Sequence, residues 1–88
     1  MKNSRQLERI YKGVANHRRI DILFLIKKRP GISLTEIANT LKCNQKTISE
    51  HTRRLVIAGL VNKRYQNTLV QHFLSPYGEK ILSAMTKF

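Results

Sequence analysis

Apolar residues recur along this chain with a helical period over most of its length and with a strand period in one stretch. Between Asn3 and Val14, Leu7, Ile10, Tyr11 and Val14 fall at i, i+3, i+4 and i+7, while Arg5, Gln6, Glu8, Arg9 and Lys12 fill the other faces. This predicts an amphipathic helix over 3–14, interrupted near Gly13. Asn16 offers a cap for a second helix from His17 to about Arg29, in which Ile20, Ile22, Leu23, Phe24, Leu25 and Ile26 are apolar nearly all round. That breadth predicts a central core helix. Lys27-Lys28-Arg29 sets cations at its C-terminal end, where the helix dipole favours them, and Pro30-Gly31 stops it. The triplet suits a solvated helix end or a phosphate contact equally.

From Ser33 the pattern predicts two helices and a very tight turn. Ser33 and Glu36 have the spacing of a capping box, with Ile32 and Ile37 as its hydrophobic staple. Leu34, Ile37, Ala38 and Leu41 then share one helical face. Only Lys42 and Cys43 separate Leu41 from the next cap, Asn44. So short a turn sends the second helix off at a steep angle. In that helix Ile48, His51, Thr52 and Leu55 lie on one side, and Lys46, Glu50 and Arg53 on the other. Gly59 follows the helix end, where positive φ is cheap. Residues 33–59 thus form a helix-turn-helix.

Beyond Gly59 the period changes to that of strands. Leu60 to Tyr65 and Leu69 to Leu74 flank Gln66-Asn67-Thr68, with Asn67 suited to a left-handed turn. A hairpin over 60–74 follows, with Val61, Val70, His72 and Leu74 facing inward. Because two strands alone are marginal, a short third strand around Gly31 to Ser33 is expected beside them. Ser75 can cap a last helix, Pro76 suits its first position, and Tyr77, Ile81, Leu82 and Met85 continue at helical spacing to about Lys87.

The run Ile37-Ala38-x-x-Leu41-x-Cys43-Asn44-Gln45-Lys46-Thr47-Ile48-Ser49-x-His51-x-x-x-Leu55-x-x-x-Gly59-Leu60-Val61 resembles the ArsR-type winged helix-turn-helix repressors, with the MarR type as close cousin. The resemblance extends from about Asn16 to the end, and Leu74-Ser75-Pro76-Tyr77-Gly78 is similar to the start of the last helix in that group. It implies an α+β, mainly α fold of about five helices with a small antiparallel hairpin as the wing. It also implies a homodimer built on the first and last helices, here through Leu7, Ile10, Tyr11 and Val14 and through Tyr77, Ile81, Leu82 and Met85, with Phe88 beside them. Many ArsR relatives sense metals through a thiolate pair at the start of the first helix of the motif. The corresponding places hold Ser33 and Thr35, so that sensor is not expected.

Composition sharpens the functional expectation. The 88 residues make one domain with one core, and 17 Lys and Arg against 5 acids give a net charge of +12. Such an excess points to polyanions. Gln45, Lys46, Thr47, Ser49, Glu50 and Arg53, near the start and outer face of the second motif helix, mix donors, acceptors and a methyl group. That mixture suits base edges in a DNA major groove, whereas uniform positive charge would suit phosphates alone. Lys42, Arg54, Lys63 and Arg64 are the expected phosphate contacts.

Other chemistry is not expected. One cysteine permits no internal disulfide, and no long apolar run or secretory pattern is present, so a cytoplasmic location is expected. Cys43 reads as a small hydrophobe. His17, His51 and His72 are not spaced as metal ligands on one helix. Glu8, Asp21, Glu36, Glu50 and Glu79 form no acid–base pair, and there is no phosphate loop or nucleophile motif, so neither a cofactor nor an enzyme is expected. The expected function is a sequence-specific double-stranded DNA-binding transcriptional regulator. Two alternatives stay open: a non-specific DNA- or RNA-binding or architectural protein with Tyr65 and Phe73 as stacking groups, and a protein-interaction module.

Overall fold

The computed structural model describes residues 2–88 and places along them helices α1 (Ser4–Val14), α2 (His17–Lys28), α3 (Leu34–Leu41) and α4 (Gln45–Ile57), strands β1 (Val61–Gln66) and β2 (Leu69–Leu74), and helix α5 (Pro76–Met85). This is a winged helix, and its helix starts follow the capping chemistry. The Asn16 side chain accepts from the backbone N–H groups of Arg18 and Arg19 at 2.9 and 3.2 Å. Ser33 and Glu36 exchange the two bonds of the capping box at 3.2 and 3.0 Å. Asn44 accepts from Lys46 and Thr47 at 2.8 and 3.4 Å, and Ser75 accepts from Gly78 at 3.0 Å. A further box, Asn3 with Gln6, opens α1. Each such cap contributes about 1 kcal/mol to its helix.

Helix α2 is the centre of the core, as its breadth of apolar positions predicted. Ile22, Leu23 and Ile26 are buried together with Ile37, Ile48, Leu55, Leu60 and Val61. Two glycines permit close crossings. A Cβ on Gly13 would lie 2.5 Å from that of Ala58, and one on Gly78 would collide with the Leu60 carbonyl oxygen.

In the hairpin Val61 pairs with Leu74, Lys63 with His72 and Tyr65 with Val70. The expected inward set holds: Val61 and His72 are buried, and Val70 and Leu74 half-buried. The expected third strand shrinks to one bridge. Gly31 N–H donates to the His72 carbonyl at 2.9 Å and His72 N–H to that of Ile32 at 3.1 Å. Gly31 has a φ of 87°, and Ser33 already caps α3, so only Ile32 is left to pair with β2. Leu60, expected to begin β1, instead closes the end of α4: its N–H bonds the Leu55 carbonyl and its own carbonyl takes the Ser75 N–H, both at 3.0 Å. Helix α5 ends at Met85 rather than near Lys87, with Thr86 as its cap. Among the described residues no helix is long and apolar enough to cross a membrane.

Candidate nucleic-acid interface

The turn between α3 and α4 fixes how α4 is presented. Lys42 takes the left-handed conformation, with φ 54° and ψ 45°, so the chain reverses within two residues and Asn44 starts α4. Ile48, Thr52 and Leu55 anchor the inner face of α4 in the core. Gln45, Lys46, Thr47, Ser49, Glu50 and Arg53 are all exposed on the remainder. The structure therefore gathers the six expected base-reading residues on one exposed surface.

These six are not equally free. Gln45 Nε2 donates to Thr35 Oγ1 at 2.7 Å, which ties the start of α4 to α3. Arg53 donates through Nε and Nη2 to both oxygens of Glu50, at 3.0 and 2.6 Å, and Arg54 Nε lies 3.2 Å from the same carboxylate. The Arg53 hydrogen bonds hold the Glu50 carboxyl below its ordinary range and push the Arg53 guanidinium further up. Glu50 thus clamps two arginines, which the sequence reading treated as independent. Their i, i+3 and i, i+4 spacing carried that signal.

Of the expected phosphate contacts, Lys42, Arg54, Lys63 and Arg64 are exposed. Strand alternation sets Lys63 and Arg64 on opposite faces of the wing, Lys63 opposite His72 and Arg64 opposite Gln71. Arg64 lies over the Phe73 ring, 4.7 Å from its centre. The same alternation separates Tyr65 from Phe73, so these two do not form one stacking platform. In the triplet at the C-terminal end of α2, Lys27 pairs with Glu79 at 2.8 Å and Arg29 with Glu36 at 3.1 Å.

The places of the missing thiolate pair have other work: Ser33 caps α3 and Thr35 accepts from Gln45. Cys43 is half-buried against the core, its Sγ 3.3 Å from the Leu41 carbonyl oxygen. Among the described residues no three His, Cys, Asp or Glu side chains are grouped as a metal site.

Helices α1 and α5 contribute to one surface. Leu7, Ile10, Tyr11, Tyr77 and Ile81 line one depression of about 250 Å³, and Tyr11, Val14, Ile81, Met85 and Phe88 line an adjoining one of about 520 Å³. Leu7, Tyr11, Tyr77 and Phe88 are exposed there. Val14, Ile81 and Leu82 are instead buried in the chain's own core.

A winged helix-turn-helix with an exposed, chemically mixed second helix defines the class. The family model described as the MarR family matches residues 15–68, and the chain belongs to that family. The chain is also similar to solved structures of HlyU from Vibrio cholerae, at 29% identity over 98% of this chain and 94% of that one, with a TM-score of 0.86. A homodimeric winged helix-turn-helix DNA-binding domain, Mb0332 from Mycobacterium bovis, described as a possible ArsR-family transcriptional regulator, is 26% identical over 99% of this chain and 85% of that one, with a TM-score of 0.82. A MarR protein from Peptoclostridium difficile shares the fold at 22% identity, covering 78% of this chain and 47% of that one, with a TM-score of 0.73. No curated protein sequence matches the chain. The family shown is thus the MarR type, the close cousin in the resemblance, and the ArsR type enters through the description of the mycobacterial relative.

Proposed function

We propose that this protein is a homodimeric, sequence-reading regulator of transcription that binds double-stranded DNA in the cytoplasm and acts as a repressor. The observation that carries this reading is the outer surface of α4, where Gln45, Lys46, Thr47, Ser49, Glu50 and Arg53 are exposed together on a helix anchored from behind. A helix presented in this way fits the major groove, where Arg reads guanine, Gln adenine and Glu cytosine. The charge of +12 supplies the attraction to phosphates. The homodimeric DNA-binding domain from Mycobacterium bovis supports both the DNA partner and the twofold assembly.

In the dimer, the α1 and α5 surfaces of two copies would meet through Leu7, Ile10, Tyr11, Tyr77 and Met85, and the two α4 helices would enter successive major grooves of a roughly palindromic site. Lys42, Arg54, Lys63 and Arg64 would hold the flanking phosphates. In the ArsR comparison this would be a regulator without the thiolate metal sensor. The separation of Tyr65 from Phe73 favours duplex DNA over a single-strand stacking mode.

Replacing Arg53 by Ala tests the assignment. Duplex binding by the variant should lose about 1–3 kcal/mol of discrimination at one base pair of each half-site. An equal loss on every sequence would reduce Arg53 to a phosphate contact.

A further inference from the structure

A second basic cluster lies beside the proposed reading surface and has no part in it beyond two shared arginines. Arg9 and Lys12 of α1, Arg19 of α2, and Arg53 and Arg54 of α4 line a cleft of about 210 Å³. Gly13 makes this convergence possible, because its lack of a side chain lets α1 approach Ala58 at the end of α4. Two carboxylates answer these five cations: Glu8, 3.6 Å from Lys12, and Glu50, which holds Arg53 and Arg54. Arg9 and Arg19 have no acidic partner among the described residues. Arg19 Nη1 donates to the Lys12 carbonyl at 3.4 Å, yet its Nε is buried without a hydrogen-bond partner among the described residues. Half-buried His51 next to this cluster likewise has a buried Nδ1 without one among the described residues. Burial first and the charge of Arg19 second hold the His51 imidazole below its ordinary range, which disfavours a further positive charge beside the cluster.

We propose that the cleft between α1, α2 and α4 is a binding site for a phosphate-type oxyanion. Guanidinium groups meet phosphate through paired, charge-assisted hydrogen bonds, and the five cations here, four of them guanidinium groups, are brought in from three different helices. A multiply charged anion relieves the mutual repulsion of these cations better than chloride does. The volume leaves room for such a group together with some water, which occupies about 30 Å³ per molecule. Glu50 is the competitor built into the site, since it engages Arg53 and Arg54 in its absence. The phosphate has two sources, a soluble phosphate compound or a DNA backbone phosphate beside α4. The site itself does not rest on the reading of DNA bases.

The test is titration of the full-length ¹⁵N-labelled protein with inorganic pyrophosphate at constant ionic strength. Saturable shifts are expected at the amides of Gly13 and Ala58 and at the Arg19 Nε–H signal. Arg9→Gln with Lys12→Gln, both exposed positions, should weaken binding about tenfold, the equivalent of one charge-assisted hydrogen bond. Glu50→Gln should tighten it by releasing Arg53 and Arg54, and Lys28→Gln, exposed at the opposite end of α2 from Arg19, should leave it unchanged. Shifts that do not saturate, that spread equally to the wing, or that persist at full affinity in the Arg9/Lys12 variant overturn the proposal.

Adding duplex DNA distinguishes the sources. If a backbone phosphate fills the site, duplex DNA abolishes the pyrophosphate shifts, and the Arg9/Lys12 variant loses DNA affinity alike on all sequences, with a salt slope lower by up to about two. If a soluble compound fills it, the shifts persist in the DNA complex and the variant binds DNA as the parent does. Failure to bind DNA at all would end the regulatory reading while leaving the pyrophosphate result to decide the site.

Discussion

His72 shows how one residue links the wing to the rest of the fold. It is buried in β2, and its Nδ1 lies 2.8 Å from the Ile32 carbonyl oxygen, so a neutral ring protonated at that nitrogen donates across to the residue before α3. Burial lowers its proton affinity from the ordinary 6.5, the Ile32 bond works against that shift, and Lys63 adds to it. His51 is lowered in the same direction, chiefly by burial. Below 6.5 the unfolded chain therefore binds more protons at these two positions than the folded chain does. Stability should be full above that pH and decline as pH falls beneath it. Glu36 and Glu50, with lowered affinities of their own, stay ionised in that window and do not mask the effect. Urea midpoints at pH 7.5 and about 5.5 should show the decline, and His72→Asn, which keeps a donor toward Ile32, should reduce it. A parent protein equally stable at both values would contradict this account.

At the scale of elements, local chemistry was the most legible. Caps at Asn16, Ser33, Asn44 and Ser75, the left-handed Asn67 and the stop at Gly31 each depend on residues a few places apart, so the sequence displays them directly. The six exposed residues of α4 were legible for the same reason, through helical periodicity. What spacing along one element cannot show is which apolar side chains a distant element will cover. Val14 and Leu82 read as parts of exposed stripes, and the fold takes both into its own core. Arg19 escaped notice because its cleft joins three helices.

Alternation along β1 did carry the information that neighbouring Lys63 and Arg64 face opposite ways, but charge alone grouped them. Gly78 is a contact of the non-local kind. It sits in the first turn of α5 against the Leu60 carbonyl, which itself accepts the Ser75 N–H. Gly78→Ala should cost about 2 kcal/mol by forcing α5 away from the end of α4. That loss lowers the melting temperature of a domain this size by roughly 8–16 °C. An unchanged melting temperature would mean that the crossing of α5 over Leu60 is looser than described.

At the scale of the whole molecule, the charged and apolar surfaces divide the work. Basic groups surround α4, while α1 and α5 leave Leu7, Tyr11, Tyr77 and Phe88 exposed on a continuous apolar surface. A second copy covering that surface would bring two recognition helices into one assembly with twofold symmetry. Leu7→Glu with Tyr11→Glu alters exposed side chains and spares half-buried Ile10, so the fold should survive. Sedimentation should then give monomers that bind operator DNA far more weakly. A variant that remains dimeric would exclude α1 from the interface.

The central claim, a dimer that reads base sequence through α4, is tested most directly by selecting binding sites from a randomised duplex-DNA library at about 150 mM salt, where purely electrostatic binding is already weakened. The account predicts enrichment of a roughly palindromic site whose half-sites lie about one helical turn apart, centre to centre. Retention of DNA without enrichment of any sequence would contradict it.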